Sequence, residues 1–391
     1  MNKARRECFI HGGMPKTGTT SIQSSLCRGL RDTRFRLLTL DCFFGNLLIG
    51  SAFSGDYGVG TRFISHGVTE AMAATVPPQS RDYLDRALAA AGRRGCVPIL
   101  SAEIIFNLPE AALERLRDFV VERNWQPRVV MYVRSPLDYL ESWVQQRLKA
   151  GRMVSGPLPR IADYLEVSVR PDWARPLRAL DQVFGREHVA MFAYDPAEFP
   201  SRCVVQHFCG IAGIPGDSVR VIRENDSLSL DAVRFFHALA VAGRRGLRSR
   251  VDRLHRAVLV RRLQEELPGE KLRFHEDVAG RYEAAIREDL AWLEARLGCE
   301  VPFSRRSRDG DGGVRSEDDL LDFRQESLEW LASASGRRVV KRGQGAETVR
   351  AVAEQLESMR LLISPRQLMR ERLERARELW WRASVRRRNL R

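Results

Sequence analysis

No run of eighteen apolar residues occurs anywhere in the chain, so no ordinary membrane-spanning helix is expected. There is no CxxC pair either. The seven cysteines, Cys8, Cys27, Cys42, Cys96, Cys203, Cys209 and Cys299, are scattered and odd in number. That pattern argues against a zinc cluster or a disulfide framework and for reduced thiols. The basic opening, Met1 to Arg6, runs directly into Cys8-Phe9-Ile10 without the apolar stretch of a secretory signal, so a cytoplasmic setting is expected. Internal repeats and long low-complexity tracts are missing as well. Acidic residues are in short supply: 50 Asp and Glu against 64 Lys and Arg leave a formal net charge of +14. Such an excess favours anionic partners (nucleotides, acidic glycans, nucleic acid or membrane surfaces) without choosing among them.

What is present is enough for a buried core. At 391 residues with 44% hydrophobic and 29% charged side chains, the chain suits one large α/β domain with an appendage, or two ordinary domains. The first segment reads as strand, glycine-rich loop, helix: Glu7 to His11, then Gly12-Gly13-Met14-Pro15-Lys16-Thr17-Gly18, then Thr19 onward. Ile22, Leu26 and Leu30 recur every four residues, one apolar stripe for a sheet. From about Leu40 to Pro78 periodicity is weak, which predicts loops and short elements. Helices are predicted over Arg81–Ala91, Leu113–Arg123 and Leu137–Ala150, and strands over Val97–Leu100, Arg128–Val133 and His188–Ala193. Strands alternating with helices imply parallel βαβ units, whose ligands sit beyond the carboxyl ends of the strands. The loop after His11, Glu103 and Arg134 all fall at such ends.

The glycine-rich loop has the character of an anion cradle. Small residues before a helix expose backbone N–H groups, and the helix dipole adds partial positive charge. Lys16 contributes a full charge, and Thr19, Thr20 and Ser21 offer hydroxyls. The order differs from a Walker A loop, in which the lysine follows the second glycine and a Ser or Thr after it holds magnesium. Here Lys16 precedes Gly18, which disfavours a conventional ATPase.

Pro15-Lys16-Thr17-Gly18-Thr19-Thr20-Ser21 resembles the 5′-phosphosulfate loop of the PAPS-dependent sulfotransferases, where PAPS is 3′-phosphoadenosine 5′-phosphosulfate. Bacterial members with an His-x-Gly-x-Pro-Lys-Thr-Gly-Thr-Thr opening are most similar. A second motif comes where that family puts it: Val130-Met131-Tyr132-Val133-Arg134-Ser135-Pro136, with Ser142 eight residues after the arginine, resembles the 3′-phosphate element. Weaker echoes run from His188 to Ile211, through Asn225 to Ser229, and over Arg281 to Leu297, so that the resemblance spans residues 7–303. The Arg-Lys-Gly element of eukaryotic cytosolic members has no counterpart; Arg223 is a candidate substitute.

The resemblance implies a P-loop-type parallel sheet flanked by helices, with PAPS as sulfuryl donor, PAP as product and no metal. Lys16, Thr17, Gly18, Thr19, Thr20 and Ser21 would bind the 5′ end, and Arg134 with Ser142 the 3′-phosphate. Lys16 would also stabilise the leaving group. Glu103 is the candidate base for the acceptor proton, with its role as a cap on a following short helix equally open, and His66 in Ser65-His66-Gly67 is the second candidate. The resemblance implies a glycan, glycolipid or other small acceptor with a hydroxyl or amine. A P-loop kinase and a non-catalytic polyanion- or membrane-binding protein are the alternatives.

The chain changes character near Ser304 to Ser316, where charge and glycine dominate. A sulfotransferase domain over 7–303, a linker over 304–316 and a helical basic extension over 317–391 are expected. Helices are predicted around Asp318–Ala334, Glu347–Ile363 and Gln367–Ser384. From Arg366 to Arg391 there are ten arginines and three glutamates, with Met369, Leu373, Ala376 and Trp380 along one stripe. That tail could pack back on the domain or dock peripherally on an anionic membrane at its inner face. Nucleic acid is not an expected partner, because no reader motif is present.

Overall fold

A computed structural model describes residues 6–39, 42–54, 76–150, 172–223, 228–243, 250–304 and 313–363. It contains a five-stranded parallel sheet of β1 (Arg6–His11), β2 (Phe35–Leu37), β3 (Val97–Ser101), β4 (Trp125–Val133) and β5 (Val189–Ala193). Their spatial order is β2-β3-β1-β4-β5, with β1 paired to β3 on one side and β4 on the other. The α/β class expected from the alternation of strands and helices is the one observed. Because β1 is central and the chain turns from the β3 side to the β4 side around it, the crevice beyond His11 lies where the strand order reverses. Open parallel sheets bind ligands at that place.

Side-chain alternation explains how both faces are covered. Cys8, Ile10, Val129, Met131 and Val133 point into the larger core, while Phe9, Val130 and Tyr132 point into a second one. The second core is closed by α1 (Thr19–Arg28), through Ile22 and Leu26, and by α7 (Val204–Ala212), through Val204, Val205 and Phe208. The larger core takes α2 (Cys42–Phe53), α3 (Val76–Arg94), α4 (Glu110–Val121), α5 (Pro136–Ala150) and α6 (Ala174–Phe184). Helix α2 lies in the stretch predicted as loops. Its sequence, CFFGNLLIGSAF, is apolar on nearly every side, and a helix buried all round shows little periodicity to read. Residues 55–75, including His66, lie outside the described residues.

After β5 and α7 the described chain is helical: α8 (Leu230–Val241), α9 (Arg250–Glu266), α10 (Glu276–Ala285), α11 (Arg287–Leu297), α12 (Gln325–Ser335) and α13 (Ala346–Leu361). The helix predicted from Asp318 begins only at Gln325, because Phe323 turns inward and stacks on Phe235, 6.1 Å between ring centroids, with Trp330 at 6.1 Å from the same ring. Val352, Ala353, Leu356 and Met359 of α13 belong to the same core cluster as β1 and β4. Residues 313–316 are docked too, with Val314 donating to the Arg273 carbonyl at 2.8 Å and accepting from His275 N at 3.0 Å. The third predicted C-terminal helix lies outside the described residues. Among the described residues, no helix is long and apolar enough to cross a membrane.

Candidate active site

The loop between β1 and α1 is held in an unusual shape by close packing. A Cβ on Gly12 would come within 2.9 Å of Met131 Sδ and 3.1 Å of Ile105 Cγ2, so the chain threads between β4 and the turn after β3. Gly13 has φ +69°, and a Cβ there would lie 2.3 Å from Thr19 Oγ1. Lys16 itself sits at φ 69°, a left-handed conformation for a residue with a side chain. That costs about 1–2 kcal/mol. Two hydrogen bonds offset it: Thr17 Oγ1 donates to the Met14 carbonyl at 2.6 Å, and Arg134 Nη1 donates to the Lys16 carbonyl at 3.0 Å. Gly18, φ 77°, then opens α1, whose first turn carries no acidic residue. A helix N-terminus without a carboxylate keeps its positive end for an external anion.

The two cations picked out from sequence therefore share one crevice. Burial lowers the Lys16 pKa; nearby Glu103 acts against this, and Arg134 adds to it by repulsion. Glu103 shifts the opposite way. Burial raises its pKa and the Lys16 charge only partly opposes that. Lys16 thus feels both Glu103 and Arg134 across a partly dry site.

Glu103 opens a single 3₁₀ turn, Glu103–Asn107, whose flanking Ala102 offers no side-chain cap. The Ile104 amide is held instead by Asn46 Oδ1 of α2, at 2.8 Å. Asn46 thus occupies the capping place considered for Glu103. The strand end before it is fixed by a buried polar hub. Thr39 Oγ1 donates to the Ser101 carbonyl at 2.8 Å and accepts from Ser101 N at 2.9 Å. Gln23 Nε2 donates to the same carbonyl at 3.0 Å, and His11 Nδ1 meets Ser101 Oγ at 2.8 Å. Ala102 N donates to the His11 carbonyl at 3.0 Å. These contacts lock the β1 and β3 tips together, and with them the distance between the loop and Glu103.

On the other side, Arg134 and buried Ser135 follow β4. Tyr194, directly after β5, donates its backbone N–H to the Val133 carbonyl at 2.7 Å. Its hydroxyl lies 3.6 Å from where a Cβ on Gly18 would be. Burial raises its pKa and the Arg134 charge opposes that. Tyr194 was missed in the sequence reading, although the rule that picked out the other strand ends applies equally to it. Ser142 is half-buried two turns into α5. Asp138, one turn before it, accepts from Ser304 Oγ at 2.8 Å. Thr17, Thr19 and Ser21 are buried and Thr20 half-buried. Buried Thr19 Oγ1 and Ser135 Oγ have no hydrogen-bond partner among the described residues. Arg223 is exposed at the edge of residues 224–227, which lie outside the described residues. Among the described residues no group of His, Cys, Asp and Glu is arranged to hold a metal ion.

No protein-family model and no curated protein matches the chain. Among solved structures it is similar to a sulfotransferase from Alicyclobacillus acidocaldarius, at 16% identity and a TM-score of 0.41, over 77% of this chain and 99% of that one.

Proposed function

We propose that this chain is a sulfotransferase that moves a sulfuryl group from PAPS to a hydroxyl or amine, on a glycan or glycolipid. The observation that carries the reading is the hydrogen bond from Arg134 Nη1 to the Lys16 carbonyl, which brings two cations from separate motifs to one crevice. Two like charges held together in a partly buried place, with Glu103 as their acidic neighbour, favour an anion with more than one charge. The unpartnered hydroxyls of Thr19 and Ser135 supply donors of the kind phosphate and sulfate oxygens accept. The site thus fits a doubly phosphorylated nucleotide. Bound there, PAPS would supply an activated sulfuryl group on a good leaving group.

The roles of the protein's own residues follow from their chemistry. Loop amides with Thr19, Thr20 and Ser21 hold the 5′ end, and Arg134 with Ser142 the 3′-phosphate. Lys16 counters charge that develops on the departing oxygen, an electrostatic contribution that grows as water is excluded. Glu103 accepts the acceptor's proton, and its raised pKa suits a base working near neutrality. Transfer of this type, like phosphoryl transfer, depends mainly on alignment and charge stabilisation. Lys16 ahead of Gly18 continues to disfavour the kinase alternative.

Calorimetry with PAP and with ATP–Mg²⁺ tests the reading. Micromolar binding of PAP without metal is the expected result. Preference for ATP–Mg²⁺, or no nucleotide binding at all, would overturn it.

A further inference from the structure

Val241, Val339 and Leu362 are strongly exposed large apolar side chains, at 49%, 48% and 61%. Val241 ends α8, Val339 lies between α12 and α13, and Leu362 directly follows α13. Helices α8 and α13 pack together in the core. Val339 is flanked by Arg337, Arg338, Lys341 and Arg342, all exposed.

The segment carrying Val339, Gly336 to Gly345, is fastened along α13. Gln355 Nε2 donates to the Arg338 carbonyl at 2.6 Å, and Thr348 Oγ1 to the Lys341 carbonyl at 3.4 Å. These anchors are two helical turns apart, about 10 Å, and buried Val340 holds the strap between them. The strap therefore presents its cations and Val339 to solvent as a fixed edge. Arg342 pairs with Asp322 at 3.0 Å, but both are largely exposed, so that pair is weak.

We infer that this strap, with four exposed cations set around Val339 on a fixed edge, is a docking face for an anionic lipid bilayer. A polyanion needs only the cations and would leave the valine in water. Apolar side chains set among arginines suit the boundary between headgroups and acyl chains, where each is favourably placed. The sequence from Arg366 onward repeats that composition, with Trp380-Trp381 among ten arginines. This inference does not depend on the sulfuryl-transfer reading.

Co-sedimentation of the full chain tests it, with vesicles of phosphatidylcholine alone and with phosphatidylglycerol added. Binding is expected only to the anionic vesicles, weakening with salt. Arg337→Gln with Arg338→Gln should lower the affinity about 25-fold, from roughly fivefold per cation. Val339→Asn should weaken binding that persists at high salt. Both variants alter exposed side chains, so unchanged thermal unfolding and circular dichroism serve as the folding control. Undiminished vesicle binding by the strap variants would assign any docking to the tail alone and overturn the inference. So would binding to heparin with none to vesicles, which would make the face a polyanion site.

Discussion

Replacing Glu103 by glutamine should separate activity from stability, because the change keeps shape and removes charge. The folded carboxyl holds its proton to higher pH than the unfolded chain does, since burial raises its pKa from the ordinary 4.5 while Lys16 only partly opposes this. A raised folded value means that the folded state binds more protons than the unfolded one between the two values. The stability this provides is complete below the unfolded value and is lost as pH rises through the folded one. Where the folded carboxyl is ionised, its charge is therefore a destabilising presence that Glu103→Gln removes. The variant should unfold at a temperature equal to or above the wild type's at pH 8, and the two should converge toward pH 4. Transfer of labelled sulfate from PAPS into glycolipid and polysaccharide extracts should fall by ~10²–10⁴, the usual contribution of a general base. That loss corresponds to about 3–5 kcal/mol of transition-state stabilisation. Paired measurements, thermal unfolding against pH and the transfer rate, decide the matter. A rate loss under tenfold would move the base to His66, and a clear drop in unfolding temperature at pH 8 would make Glu103 structural.

Lys16→Ala should abolish measurable transfer, a loss of at least about 10²–10³, while circular dichroism stays native; near-normal turnover would remove the lysine from the chemistry. Arg134→Ala takes away the bond to the Lys16 carbonyl together with the proposed phosphate contact, so PAP affinity by calorimetry should drop about ten- to a hundredfold. Unchanged PAP affinity would contradict a shared crevice. His11 is fully buried, and burial pushes its pKa down from 6.5 to about 3. Its neutral form belongs to the folded state and the proton is gained on unfolding, so stability should decline as pH falls from 6.5 toward 3. The effect is about 1.4 kcal/mol per pH unit at most. Chemical denaturation across that window should give a flatter profile for His11→Asn than for the wild type, and parallel profiles would disprove the assignment.

Particular elements show where sequence reading stops. The loop from Gly12 to Gly18 was legible because its composition has a local cause: left-handed backbone at Gly13 and Gly18, and contacts too tight for a Cβ. Strands β3 and β4 were legible as short β-branched runs, and the strand-end rule led from them to Glu103 and Arg134. Helix α2 was not, since burial on nearly all sides erases the periodicity that marks a surface helix. Asn46 and Thr39 bear no local mark, because their partners, Ile104 N and Ser101, are 58 and 62 residues away.

The chain's order of residues determined by itself that a glycine-rich, lysine-bearing loop follows the first strand, that an arginine follows another, and that the charge balance is strongly basic. Those are properties of neighbouring residues. Only the tertiary structure decided that Arg134 grasps the Lys16 carbonyl 118 residues earlier, that Asn46 and not Glu103 holds the Ile104 amide beside them, and that the strap at Val339 lies along α13. These depend on strand order and helix packing, which bring together groups that no local pattern connects.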